Sequence, residues 1–173
     1  TITINNVNTV PEWTDLPETA VIDEAEELVI EVAGEDADGD DLTIEASSED
    51  LPEGWEFSDN QDGSGLFVWT PTYDNAGIYY LNLLLTDGVH EVEGTIEIIV
   101  YNVNRPPEVV AGIGDIEIEE DADMLEVADL DTVFEDPDGD ELSFAIISGI
   151  EELNLILEEE TNILSLQPSP NYY

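Results

Sequence analysis

The chain has 173 residues and carries 45 Asp plus Glu against a single Lys-or-Arg, for a formal net charge of −44. Arg105 is that lone cation, so the chain cannot neutralise phosphates along a nucleic acid or dock directly on an anionic membrane, since both partners need clustered positive charge. A hydrophobic fraction of 42% with 3 Trp, 6 Tyr and 4 Phe supports a packed core rather than a disordered acidic tail, and the absence of Cys removes disulfides and thiolate chemistry.

In chain order, the first element is the β-branched run Thr1 to Ile4, which matches the closing strand of a repeat. The segment Asn6-Val7-Asn8-Thr9-Val10-Pro11-Glu12 follows, and it returns 96 residues later as Asn102-Val103-Asn104-Arg105-Pro106-Pro107-Glu108. The runs 28–32, 42–46, 66–70, 78–86 and 95–100 are short, β-branched or aromatic and largely alternating, so they read as strands. Asp62-Gly63-Ser64-Gly65 supplies a turn, and Asp87-Gly88 between two strand-like runs signals a hairpin. No segment holds a helical period. The chemistry predicts a sandwich of about seven strands over ~100 residues.

A second repeated motif, Glu35-Asp36-Ala37-Asp38-Gly39-Asp40-Asp41-Leu42, returns 100 residues later as Glu135-Asp136-Pro137-Asp138-Gly139-Asp140-Glu141-Leu142. The two spacings differ by four, which places a short insertion within 120–134. Two motifs in the same order define one repeating domain. The expected organisation is a closing strand at 1–5, a complete sandwich at 6–101, and a second sandwich at 102–173 that lacks its last strands. Such a domain would leave unpaired edges, so the sequence is expected to be part of a longer tandem array or to be completed by neighbouring copies. No apolar run approaches the ~18 residues of a membrane span, and a leader or anchor is expected outside this stretch because its ends read as parts of neighbouring repeats.

The turns are the candidate metal sites. Calcium needs six to eight oxygen ligands, and alternate residues of an extended Asp-x-Asp turn can present two carboxylates to one side. Asp36 with Asp38, and Asp136 with Asp138, fit that need. The competing reading is a polar turn whose aspartates cap backbone amides while Gly39 and Gly139 take positive φ. An EF-hand is excluded, because Gly39 is fourth from Asp36 rather than sixth and the twelfth position is Ser47. Among 45 acids, carboxylate pairs at glycosidase spacing arise by chance. His90 reads as a solvated loop residue, so no enzyme is expected. Trp69 alternates with Phe67 as core, and Tyr79 and Tyr80 take opposite faces. Trp13 is expected to be exposed or wedged between domains.

The linker Asn102 to Pro107, the turns at Asp36 and Asp136, and the run Phe67-Val68-Trp69-Thr70-Pro71-Thr72-Tyr73-Asp74-Asn75-Ala76-Gly77-Ile78-Tyr79 together resemble tandem bacterial cadherin-like repeats of the dystroglycan type, an Ig-like group of large surface and secreted proteins. The resemblance covers essentially the whole chain. It implies tandem Greek-key β-sandwiches with Ca2+ at the junctions. Carried over by position, the ligands are Asn102, Asn104, Asp136, Asp138 and Glu24 at one junction, and Asn6, Asn8, Asp36 and Asp38 at the other. Asp74 and Asp87 are weaker additions. The function implied is a structural repeat of an extracellular stalk, adhesin or filament at the cell surface, with neighbouring repeats or copies as partners. The alternatives are a subunit assembling by strand donation, in which Thr1 to Ile4 completes a neighbour's sandwich, and a module whose aromatic residues bind an extracellular polysaccharide.

Overall fold

The computed structural model describes residues 2, 7–119, 121–148 and 154–169. The expected strand at Thr1 to Ile4 and the candidate ligand Asn6 lie outside the described residues, apart from exposed Ile2. The chain divides into two compact units, Thr1–Val103 and Asn104–Tyr173. Each is built from strands, and no α-helix occurs among the described residues.

The first unit is a two-layer β-sandwich. One sheet runs β1 (Glu12–Asp15), β3 (Leu28–Glu35), β6 (Ser64–Trp69), β5 (Glu56–Asp59). The other runs β2 (Thr19–Asp23), β8 (Glu91–Tyr101), β7 (Gly77–Thr86), β4 (Thr43–Ser47). The β2–β8 pair is parallel, and the rest are antiparallel. Period-two alternation decides which faces meet. Leu28, Ile30, Val32, Phe67 and Trp69 face inward from one sheet, and Ile44, Leu81, Leu83, Leu85, Ile96, Ile98 and Val100 from the other, forming one buried cluster. Each such side chain contributes about 1.5–3 kcal/mol by leaving water. Tyr79 packs edge-on against Trp69 while Tyr80 faces solvent, as alternation requires.

Three strands escaped the sequence pattern: β1, β2 and β5. β1 and β5 have four residues each, too few for alternation to register, and β2 offers only Ala20 and Ile22 to the core. With β1 unrecognised, Trp13 was misplaced. It packs on its own unit's core, where a Cβ on Gly94 would lie 3.1 Å from its indole nitrogen.

The second unit contains β9 (Glu108–Val109) paired with β11 (Phe134–Glu135), and a three-stranded sheet β10 (Leu125–Asp129), β13 (Ile163–Leu166), β12 (Leu155–Glu158). A 3₁₀ turn, Leu130–Thr132, separates β10 from β11. The continuous β3 has no such break, so part of the expected insertion falls there. Among the described residues, Leu130, Val133 and Leu166 are its buried large hydrophobics.

Candidate metal centre

The two acidic turns are built alike. Asp36 Oδ1 accepts from the amides of Asp38 (2.7 Å) and Asp40 (3.3 Å), and its carbonyl accepts from Gly39 N (3.2 Å). Asp136 Oδ1 accepts from Asp138 N (2.9 Å) and Asp140 N (3.4 Å), with Gly139 N on its carbonyl at 3.0 Å. Gly39 and Gly139 sit at φ 77° and 79°, a region where a Cβ would be strained. One carboxylate oxygen therefore caps the turn in both copies.

Each turn also holds the linker that precedes it. Thr9 N donates to Asp38 Oδ2 at 2.7 Å, and Arg105 N, 96 residues later, donates to Asp138 Oδ2 at 2.5 Å. The copies part at the side chain. Arg105 Nε donates to Asp138 Oδ1 at 2.9 Å, Nη2 lies 2.9 Å from the same oxygen, and Nη2 donates to the Pro137 carbonyl at 2.6 Å. The Asp138 side chain is buried under this guanidinium. The backbone amide of Arg105 and then its side chain hold the Asp138 carboxyl below the usual carboxylate range. Asp136 is buried, and Asn104 donates to the Arg105 carbonyl at 3.2 Å.

Thr9 offers no charge at the first turn. There Asp36, Asp38 and Asp40 each place a carboxylate oxygen within 4.8 Å of the others, the one such acidic grouping among the described residues. Asp36 Oδ2 is buried and has no hydrogen-bond partner. Partial desolvation, then repulsion from Asp36, Asp38, Asp87 and Asp41, raises the Asp40 pKa. Asp87 belongs to this neighbourhood more firmly than its sequence position suggests. Its side chain is buried, accepts from Asn8 Nδ2 at 2.8 Å and from the amides of Val89 and His90 at 2.7 and 2.6 Å. The His90 amide bond leads the causes that hold its carboxyl far below the usual range. His90, expected as a free loop residue, has Nδ1 3.2 Å from Asp87 Oδ2 and 3.1 Å from Asn8 Nδ2. Asp40 was legible in the Asp-x-Asp-x-Asp alternation and went unread. Asp87 was not, because a loop brings it there.

At the far end of the first unit, Glu24 follows β2 and is 2% exposed. Its Oε2 accepts from Val103 N at 3.0 Å, while its Oε1 is buried without a partner. Its backbone amide donates to the Tyr101 carbonyl and that of Ala25 to Pro71, so the loop is fixed against β8. Asn102 is exposed in the same unit. The ligand set implied for this junction is thus divided, with Glu24 and Asn102 in the first unit and Asn104, Asp136 and Asp138 in the second.

Among solved structures, the chain is similar to an endo-fucoidan hydrolase of glycoside hydrolase family 107, at 20% identity and TM-score 0.49, over 97% of this chain and 25% of that one. It is also similar to titin domains Z1Z2 in complex with telethonin, at 15% identity and TM-score 0.46, over 96% and 85%. A putative α-galactosidase from Bacteroides fragilis matches at 15% identity and TM-score 0.42, over 58% and 19%. The chain spans about a quarter of the length of the fucoidan hydrolase. No curated protein matches it. The family model described as "Bacterial Ig domain" matches residues 8–99, more than half of the sequence, which bears out the Ig-like side of the resemblance and the all-β sandwich. The chain belongs to the bacterial Ig domain family.

Proposed function

We propose that the chain is a non-catalytic structural repeat of an extracellular or surface stalk, adhesin or filament, in which calcium bound at the poles of the sandwiches restricts the linkers leaving them. The observation that carries the reading is the first acidic turn, which brings three carboxylates together and leaves Asp36 Oδ2 buried with no partner. A buried carboxylate oxygen left unsatisfied costs free energy, and a divalent ion is the natural counterpart for a group of this charge.

Asp36, Asp38 and Asp40 are the proposed ligands, with Asn8 of the preceding linker as a further oxygen donor and Asn6 proposed by sequence position alone. Three carboxylates fall short of calcium's six to eight oxygens, so water completes the shell and the expected Kd is ~10⁻⁴–10⁻³ M, suited to a calcium-rich exterior. Glu24 Oε1 is a second unsatisfied oxygen of the same kind, and Asn102 immediately precedes Val103, whose amide donates to the other oxygen of that carboxylate. At the second turn Arg105 already supplies positive charge to Asp138, so the proposal places the ion preferentially at the first. Membership in the bacterial Ig domain family supports a repeat of surface or extracellular proteins. No helix among the described residues is long and apolar enough to cross a membrane.

Amide hydrogen exchange of linker residues 7–9, with calcium and with chelator, tests the mechanical part. Slower exchange of that linker in calcium is the expected outcome. Identical exchange in both conditions would remove the stiffening role.

A further inference from the structure

In the first unit β2 lies at a sheet edge and pairs with β8 in parallel over five positions, from Thr19 with Glu97 to Asp23 with Tyr101. In a parallel ladder the N–H and C=O of a bonding residue reach the two positions that flank its partner. Glu97 N on the Glu18 carbonyl and Glu24 N on the Tyr101 carbonyl, both at 3.0 Å, follow that pattern. The next rung of a regular ladder would run from Val103 N to the Glu24 carbonyl. It runs instead to the Glu24 side chain, where Oε2 accepts at 3.0 Å. The backbone has already turned away: Ala25 sits at φ 61° and donates to the Pro71 carbonyl at 2.9 Å, and Glu26 N donates back to the Asp23 carbonyl at 3.3 Å. A carboxylate thus takes the place of a main-chain carbonyl, one rung beyond the end of both strands.

Two features set this rung apart. A carboxylate acceptor makes a stronger hydrogen bond than a neutral carbonyl, and Glu24 is 2% exposed, which keeps competing water away from the bond. Its position matters as much as its strength. Because β2 and β8 run the same way, tension that enters ahead of β2 and leaves after β8 drags the two strands in opposite directions along their length. The rungs lie across that pull and share it, instead of opening one at a time. Val103 is the last residue of the unit, so its rung is the first to feel tension from that side.

We propose that Glu24 is a load latch, a positioning residue whose buried carboxylate clasps the Val103 amide and lengthens the β2–β8 shear joint by one rung where tension leaves the unit. The latch rests on the stalk reading for its purpose. It uses Oε2 and not the unpartnered Oε1, so it works without calcium.

Single-molecule pulling of the full chain in chelator tests the latch apart from any calcium effect. The sequence has no Cys, which leaves introduced cysteines as unique handles. In one geometry they are appended before residue 1 and after residue 173, and the first unit's event is the one that releases the greater length, since that unit is the longer. In the other they replace Val7 and Val89, both exposed and both at the opposite end of β8, where Asn8 and His90 meet Asp87. That pull opens the unit across its strands. At equal force Glu24→Ala should speed unfolding about tenfold in the first geometry, as expected for one hydrogen bond to a charged group, and less than about twofold in the second. Val103→Pro removes the donor and leaves the carboxylate, so it should repeat the pattern, and it carries the test if Glu24→Ala does not fold. Equal acceleration in both geometries would reduce Glu24 to a general structural role, and unchanged unfolding under end loading would remove the latch. Either result overturns the proposal.

Discussion

The turn that begins at Asp36 and the turn that begins at Asp136 share a backbone, a glycine at positive φ, a capping carboxylate and a grip on the preceding linker. Their linkers differ at Thr9 against Arg105 and Val10 against Pro106, and only the first of these changes a charge. Arg105 brings a guanidinium onto Asp138, where Thr9 brings only an amide to Asp38. The fold of such a turn is thus separable from its charge balance. Local backbone hydrogen bonds set the shape, and a side chain from the linker decides whether the carboxylates are neutralised from within or left for a cation from solution. A second contrast runs through the cores, since the first unit buries one large apolar cluster while, among the described residues, the second buries only Leu130, Val133 and Leu166 as large apolar side chains.

The largest effect expected is on the core contrast. Phe67→Ala should cost the first unit about 3–5 kcal/mol, because Phe67 is fully buried. Leu164→Ala, at the matching but half-buried place, should cost the second about 1 kcal/mol. Urea unfolding followed by hydrogen exchange in each unit checks this, and equal costs would erase the distinction.

Calcium comes next. At 10 mM, an ion with Kd of ~10⁻⁴–10⁻³ M stabilises its host by about 1–3 kcal/mol. The first unit's melting temperature should therefore rise by several degrees while the second unit's stays put. A comparable rise with monovalent salt at high concentration would report general screening of the −44 charge instead.

Exchanging the linker residues sharpens the comparison further. Thr9→Arg should weaken calcium binding at the first turn at least tenfold, and Arg105→Thr should create a calcium response at Asp136 to Asp140. Calorimetric titration of both variants reads the transfer, and unchanged binding in both would show that the arginine does not decide the matter.

Acid titration gives the smallest effect. Asp87 and Asp138 have folded pKa values below the unfolded value of ~3.9. Their stabilisation is present above that value and is lost as pH falls through the folded values. Asp40 is shifted upward, so its folded form gains relative stability on protonation. Lowering the pH should therefore relieve strain at the first turn before Asp87 and Asp138 release their partners. Chemical shifts of the three carboxyl carbons follow the order, and Asp138 protonating before Asp40 would reverse the assignment.

The sandwich itself was legible because its long strands alternate: Leu28 to Val32, Phe67 with Trp69, and Ile78 to Thr86 each betray their inward face. The repeat spacing likewise exposed the paired turns. What the sequence hid depends on contacts between distant residues. Nothing local to Arg105 says that it reaches Asp138, 33 positions away, and nothing local to Asp87 says that Asn8 and His90 will meet on it. Trp13 was hidden for a different reason, since the four residues of β1 are too short to show a period.

The central claim, that the two turns differ in their need for a cation, is tested most directly by a calcium titration of the full chain followed by amide NMR at Asp36 to Asp41 and Asp136 to Glu141. The account predicts saturable shifts at the first set, with Kd of ~10⁻⁴–10⁻³ M, and at most small linear drifts at the second. Indistinguishable titrations at both turns, or unsaturated drift at both, would contradict it.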